Sequence, residues 1–324
     1  MECIPDAMDG EETQQTPATR LLDVTVLMGG PSSERDVSLV SGSAIADGLQ
    51  RRGHHVTRAD ILPNDASALD RGGIDVVFIA LHGAFGESGE VQALCEERRL
   101  RYTGSAPRAS ELAMDKAATK QVARRAGLST PDWMIVEEYH TPQQVARWLP
   151  ELGVPVVLKP VDGGSSIDLT IAHTPRRRDE ALDALLDKYG RALLERYVSG
   201  RELTVGVLGE KALPVLQIIP GGESYDYEAK YSDDAGTRYT FDHGLDDGTC
   251  QALRSAGLAA HHALGCRDLS RSDFLLDEQG TAWFLEINTI PGFTSHSLVP
   301  MAAGHVGIDF DELVDRIARM AMSR

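Results

Sequence analysis

The chain has 324 residues, 42% of them hydrophobic, and a formal net charge of -17. That size suits two or three packed lobes sharing clefts. The acidic balance disfavours nucleic acid or an anionic membrane as a partner, because those surfaces are bound by clustered Lys and Arg.

In chain order, Met1 to Arg20 is polar, acidic and proline-containing, without the apolar core of a secretory signal, and is expected to be a disordered tail. No apolar run approaches the roughly 20 residues that span a bilayer. The four cysteines, Cys3, Cys95, Cys250 and Cys266, lack CxxC spacing or a matching His cluster. This argues against a disulfide framework or zinc site and for a cytoplasmic protein.

Leu21 to Met28 is an apolar, β-branched run that breaks into Gly29-Gly30-Pro31-Ser32-Ser33, and Glu34 to Gln50 then carries apolar residues at helical spacing. Strand, glycine turn and helix predict a Rossmann-like first lobe, although no GxGxxG pattern is present. His55 to Ile61 and Ile74 to Leu81 extend the strand series, the second ending in the loop His82 to Gly89. Both glycine loops fall beyond strand carboxyl ends, where open α/β sheets bind ligands, which singles out Glu34 and His82. On spacing alone, a first-turn helix acid and a backbone-bonded loop histidine account for them better.

Ser110 to Ala126 reads as one helix, with Lys116 and Lys120 a turn apart in the manner of a solvated face. Strands at Trp133 to Val136 and Val154 to Leu158 flank a helix from Thr141 to Leu149. The second strand runs into Lys159-Pro160-Val161-Asp162-Gly163-Gly164-Ser165-Ser166. A Lys followed by a small glycine-rich loop can cover a triphosphate, though taken alone such a loop is more often an ordinary turn, and the Lys precedes the glycines, unlike a P-loop. Ala192 to Val198 is a strand carrying Glu195, and Glu202 opens another. Gly221 to Asp242 is long, charged and tyrosine-rich, as expected of a lid that excludes water. Helices are expected at Gly248 to Gly265 and Asp309 to Met322.

Between them lies the densest chemistry. Asp273 to Leu276 and Ala282 to Ile287 flank the turn Asp277-Glu278-Gln279-Gly280, predicting a hairpin. With a period of two, Arg271 and Asp273 share one face and Glu286 and Asn288 another, and pairing would bring a guanidinium, two carboxylates and an amide together. Hard oxygen ligands of this kind suit Mg²⁺, and an adjacent Arg suits a reacting centre that gains negative charge.

These motifs, in this order, resemble the ATP-grasp ligases, and the run from Asn288 to Pro300, the Gly29 to Ser38 segment and the His82 to Gly89 loop resemble the D-alanine-D-alanine ligase family in particular. The resemblance covers nearly the whole chain from Leu21. It implies an α/β ATP-grasp fold with an N-terminal Rossmann-like lobe, three lobes around a central cleft. The expected divisions are a tail at 1–20, a first lobe at 21–107, a central ATP-grasp lobe at 108–199 and a C-terminal lobe at 200–324 with its lid at 220–242.

The same resemblance implies ATP-dependent joining of two D-alanines for peptidoglycan precursors, in a cytoplasmic homodimer. Lys116 and Lys159 would contact phosphates with Ser165, Ser166 and Lys230. Glu195 would bond the adenine amine and Glu202 the ribose hydroxyls. Two Mg²⁺ ions, replaceable by Mn²⁺, would sit on Asp273, Glu286 and Asn288. Arg271 and the Gly292 N-H would hold the oxyanion. Glu34, with His82 nearby, would take the first substrate's ammonium, linked through Ser165 to Tyr231, and Ser297 with the Leu298 backbone would take the second carboxylate. Lys230-Tyr231 resembles the branch that uses an amine acceptor. Three positions depart from the family pattern: Asp168 replaces a glycine of the phosphate loop, Thr240-Phe241-Asp242-His243 replaces a Cys/Pro-containing run, and Arg196 replaces a Lys. The rival readings are a same-fold ligase with D-lactate or another acceptor, and a non-catalytic nucleotide-binding protein.

Overall fold

The computed structural model describes residues 20–140, 142–164, 167–221, 236–294 and 297–324. Strands β1 (Asp23–Met28), β2 (His55–Asp60) and β3 (Val76–Ile79) form a parallel sheet in the order β2-β1-β3, with helix α1 (Arg35–Arg51) crossing from the first to the second. Parallel strands covered by helices are buried on both faces, which is why β3 is entirely apolar and entirely buried. Short helices α2 (Ala84–Glu87) and α3 (Glu90–Glu97) follow the β3 loop.

The single helix expected over Ser110 to Ala126 is two: α4 (Pro107–Met114) and α5 (Lys116–Arg125). The break lies at Asp115, whose backbone turns extended and whose carboxylate accepts the Ala118 N-H at 2.8 Å, capping α5. Lys116 thereby becomes the first residue of a new helix.

An antiparallel sheet then forms from β4 (Trp133–Glu137), β5 (Val156–Pro160), β6 (Thr170–Ala172) and β7 (Arg191–Arg196), in the order β4-β7-β5-β6, with α6 (Pro142–Leu152) and α7 (Pro175–Tyr189) between its strands. Its core of Val136, Val156, Leu158, Leu182, Leu185 and Leu194 is separate from the others. The largest sheet comprises β8 (Arg201–Leu208), β9 (Lys211–Ala212), β10 (Leu216–Ile219), β11 (Arg238–Thr240), β12 (Leu269–Leu276) and β13 (Ala282–Asn288), ordered β11-β10-β8-β12-β13 with β9 on β8. Of the expected lid, residues 238–240 are strand β11, paired to β10; residues 222–235 lie outside the described residues. Helix α8 (Asp247–Ala263) packs on β8 and β12, burying Leu253 and Ala260 against Leu203, Val205 and Phe274.

Helices α9 (Leu298–His305) and α10 (Phe310–Met322) return to the first sheet. Leu313, Val314 and Ile317 of α10 share one core with Val24, Val26, Ile45, Leu49 and Phe78. The end of the chain therefore completes the beginning. His54 locks this contact: its Nδ1 accepts the Leu22 N-H at 3.0 Å, so Nε2 carries the proton toward Asp315, 2.7 Å away.

Candidate active site

The hairpin β12–β13 carries the expected cluster in the expected register. Arg271 lies opposite Asn288 and Asp273 opposite Glu286, and directly opposed residues share a face of the sheet. One feature was not legible in the alternation. A bulge at Leu285 lets Phe274 oppose Phe284, so Phe284 turns into the core although it has the parity of Glu286. The two rings meet edge-on at 5.8 Å beneath the polar face.

Arg271 grips Asp273 through both oxygens, Nε to Oδ1 at 3.0 Å and Nη2 to Oδ2 at 2.8 Å, and Thr204 Oγ1 adds a bond to Oδ1 at 2.7 Å. Such a fork fixes the guanidinium plane. The Asn288 amide oxygen accepts the Ile290 N-H at 2.8 Å. Carboxylate and amide oxygens each offer two lone pairs, so Asp273 Oδ2 and Asn288 Oδ1 each retain one beyond these bonds.

Two cavities meet at this hairpin. The larger, about 480 Å³, is lined by Lys159, Glu195 to Val198, Glu202, Asp273 and apolar walls from Val157, Ile171, Ile218 and Leu275. The smaller, about 70 Å³, is lined by Glu34, His82, Glu87, Arg271, Asn288 and Gly292. Lys116, Gly163, Gly164 and Glu286 line both. Lys116 donates to the Gly163 carbonyl, which anchors the α5 N-terminus to the glycine loop.

In the small cavity, Glu34 and Glu87 converge. A Cβ added to Gly164 would lie 3.7 Å from the Oε2 of each. His82 is buried, with Nδ1 3.5 Å from Glu87 and Nε2 3.4 Å from the Ser41 hydroxyl. Glu87 is not among the residues that the sequence singles out; its signal there is an acid inside a glycine-rich loop at a strand end. Gly292 lies beside Ser297, whose Oγ would be 2.8 Å from an added Cβ and accepts the Thr294 N-H at 2.8 Å. Leu298 opens α9, its side chain packed with Leu216 and Ile218. Neither Ser297 nor Leu298 is among the lining residues of the small cavity. Ser165, Ser166, Lys230 and Tyr231 lie outside the described residues.

Beside the large cavity one expectation changes. Lys116 and Lys120 do not form a solvated face: both are buried, Lys120 completely. Glu195, expected at an adenine amine, has its carboxylate between two lysines, Oε1 2.8 Å from Lys120 Nζ and Oε2 2.8 Å from Lys159 Nζ. Burial alone would raise the Glu195 pKa, but Lys120 and Lys159 overcome it and hold the carboxyl below its usual range. Burial likewise opposes the Lys159 charge, and Glu195, Glu286 and Glu202 outweigh it, leaving that pKa above the ordinary lysine value. Asp168 adopts the left-handed backbone of the glycine it replaces, φ 57°, which Asp tolerates better than most residues. Its carboxylate is held by Lys188 at 2.6 Å and by the Tyr189 hydroxyl, which keep its pKa low. At the other departures, Phe241 stacks on His305 at 3.9 Å and Arg196 pairs with Asp132.

The family profile described as D-ala D-ala ligase C-terminus matches residues 122–319. A D-alanine-D-alanine ligase from Alcanivorax borkumensis is 44% identical over 307 residues, covering 94% of this chain and 96% of the relative. This chain belongs to the D-alanine-D-alanine ligase family. A solved D-alanine-D-alanine ligase from Bacillus anthracis, 31% identical, superposes with a TM-score of 0.83 over 93% of this chain and 98% of that one. The structure of the Bacillus anthracis enzyme complexed with ATP, 29% identical, gives 0.82 over 94% and 98%. The fold is accordingly ATP-grasp, and members of this family are ATP-using ligases.

The family implies a divalent cation, and the donor set can be judged on its own terms. Among the described residues no group of three or more His, Cys, Asp and Glu is placed to hold a metal. Two carboxylates and an amide, with lone pairs to spare on Asp273 and Asn288, leave most of an octahedral shell to phosphate and water. That is how Mg²⁺ is commonly held, so the residues fit it.

Proposed function

We propose that this chain joins two D-alanine molecules at the expense of ATP, through an acyl phosphate, for peptidoglycan precursor synthesis. One observation carries the reading: the large cavity meets the small one at Lys116, Gly163, Gly164 and Glu286. Nucleotide in the first and amino acid in the second would bring a γ-phosphate and a carboxylate together there.

Amide formation from free amino acids in water is uphill, so the carboxylate must be activated. A carboxylate oxygen of the first D-alanine takes the γ-phosphoryl group, releasing ADP. The amine of the second D-alanine then attacks the acyl carbon, loses a proton, and phosphate leaves as the amide forms. Lys116 and Lys159 offset phosphate charge, and Glu202 holds the ribose. Glu34 and Glu87 face the first ammonium, with His82 beside them. Arg271, its plane set by Asp273, and the Gly292 N-H stabilise the oxyanion. Ser297 and the Leu298 N-H are assigned to the second carboxylate. Asp273, Glu286 and Asn288 would hold Mg²⁺, or Mn²⁺ in its place, which neutralises phosphate charge when bound. Ser165, Ser166, Lys230 and Tyr231 keep the phosphate-loop and lid roles assigned by resemblance. The working form is proposed to be a cytoplasmic homodimer, open to light scattering on the purified protein.

The test is ADP release by purified protein given ATP, Mg²⁺ and D-alanine, with D-alanyl-D-alanine identified by mass. ADP release without D-alanine dependence, or a product formed only with D-lactate as acceptor, would contradict the reading.

A further inference from the structure

Lys120 is the most completely buried charged side chain near the cleft, and the reaction as outlined leaves it without a role. It lies on α5, one turn after Lys116, and does not line the nucleotide cavity. Its ammonium donates to Thr130 Oγ1 at 2.7 Å and to Glu195 Oε1 at 2.8 Å, with the Trp133 ring centroid 5.7 Å away. The other Glu195 oxygen faces Lys159 at 2.8 Å, an ion pair whose alignment falls short of a hydrogen bond. Lys159, unlike Lys120, lines the cavity.

The charges in this row decide what a bound nucleotide meets. A lone Glu195–Lys159 pair would be neutral, and at short range inside a protein that neutrality would cancel most of the attraction of Lys159 for a phosphate. With Lys120 on the far oxygen, the row of two ammonium groups and one carboxylate carries a net positive charge, and the end that opens to the cavity is Lys159. We propose that Lys120 is a positioning residue for nucleotide binding: it neutralises Glu195 from behind, so that Glu195 does not cancel the positive charge that Lys159 presents to the phosphates. Helix α5 thereby serves both phosphate lysines, Lys116 directly and Lys159 through Glu195.

The groups facing Lys120 are Glu195 from β7, Lys159 from β5 and Arg124 of its own helix. Burial pulls its pKa down to about 8, with Glu195 opposing and Lys159 and Arg124 assisting the drop. The ammonium form therefore persists at neutral pH.

The inference rests on the placement of ATP phosphates at Lys159, and calorimetric binding of Mg²⁺-ATP and of adenosine to the full chain separates the two ideas. Lys159→Met should weaken ATP and spare adenosine. If it leaves ATP binding unchanged, the phosphates are elsewhere and both ideas fall. Lys120→Met should weaken ATP by about tenfold or more, with adenosine changed less than about threefold. A packing role alone would weaken the two ligands equally, and that result, or unaltered ATP binding beside a sensitive Lys159→Met, overturns the present proposal alone.

The double variant Lys120→Met/Glu195→Gln removes a charge of each sign and leaves no unpaired buried carboxylate. It should restore ATP affinity to within about threefold of the unaltered protein. This arm decides the matter even if Lys120→Met does not fold. Failure of the double variant to recover the preference for ATP over adenosine overturns the proposal, as does a selective loss of adenosine, which would instead give Glu195 to the adenine.

Discussion

Arg271 illustrates how much one side chain depends on its neighbour. Asp273 takes the Nε and Nη2 edge of its guanidinium, which fixes the plane of the group beside the small cavity that it lines. A lysine preserves the charge and loses the fork. Arg271→Lys is expected to lower kcat for ADP release by about a hundredfold, the scale of losing one oxyanion donor. ATP affinity should change by only a few-fold, because Arg271 does not line the nucleotide cavity. Steady-state kinetics with equilibrium ATP binding measure both, and near-normal turnover in this variant would remove Arg271 from the chemistry. Asp168 makes the opposite point. The charge that replaces a glycine of the phosphate loop is taken up by Lys188 and Tyr189.

Among the elements, α5 and the β12–β13 hairpin owe the placement of their side chains to local irregularities, a capped break at Asp115 and a bulge at Leu285. Helix α8 depends on a buried hydrogen bond instead, His261 Nδ1 to the Ser270 hydroxyl of β12 at 2.7 Å. Burial lowers the His261 pKa to about 4, with His262 adding to the effect and Glu210 opposing it. The folded value thus lies below the unfolded one of about 6.5, and between these pH values only the unfolded chain takes up the proton. Stability contributed by neutral His261 is complete above pH 6.5 and is lost as pH falls toward 4. Between pH 7.5 and 5 the unaltered protein should lose about 2 kcal/mol that His261→Gln keeps, read as the difference in urea unfolding free energies. Parallel acid profiles for the two proteins would contradict this.

For the whole molecule, the decisive contact is between the two ends of the chain. Asp315 on α10 receives His54, Arg319 at 2.7 Å and Arg52 at 3.3 Å, all beside the core shared by β1, α1 and α10. The small cavity draws Glu34 and His82 from the N-terminal sheet and Arg271, Asn288 and Gly292 from the C-terminal one, so its shape depends on this closure. Asp315→Ala leaves the His54 N-H buried without an acceptor and should cost about 3 kcal/mol of unfolding free energy. The KM for D-alanine should rise more than that for ATP. Unchanged stability and an unchanged KM ratio would show that the ends are held together by apolar packing alone.

The sequence by itself determined the inventory and its periodicity. Alternation in the last hairpin put Arg271, Asp273, Glu286 and Asn288 on one face, and the cleft-facing register of β12 and β13 agrees. It also determined the order of glycine loops and acids that made the family recognisable. What it could not determine was whether a charge is solvated. Lys116 and Lys120 read as an exposed pair because helical spacing describes only their own helix, and what covers them is Glu195, Thr130 and the Gly163 carbonyl, the first and last well apart from them in the chain. Glu87 escaped notice for the same reason, since its convergence with Glu34 exists only once two loops meet above the first sheet. Spacing along a chain is local, whereas burial and electrostatic pairing are set by whichever distant segment arrives on the other side, and that is decided only by tertiary packing.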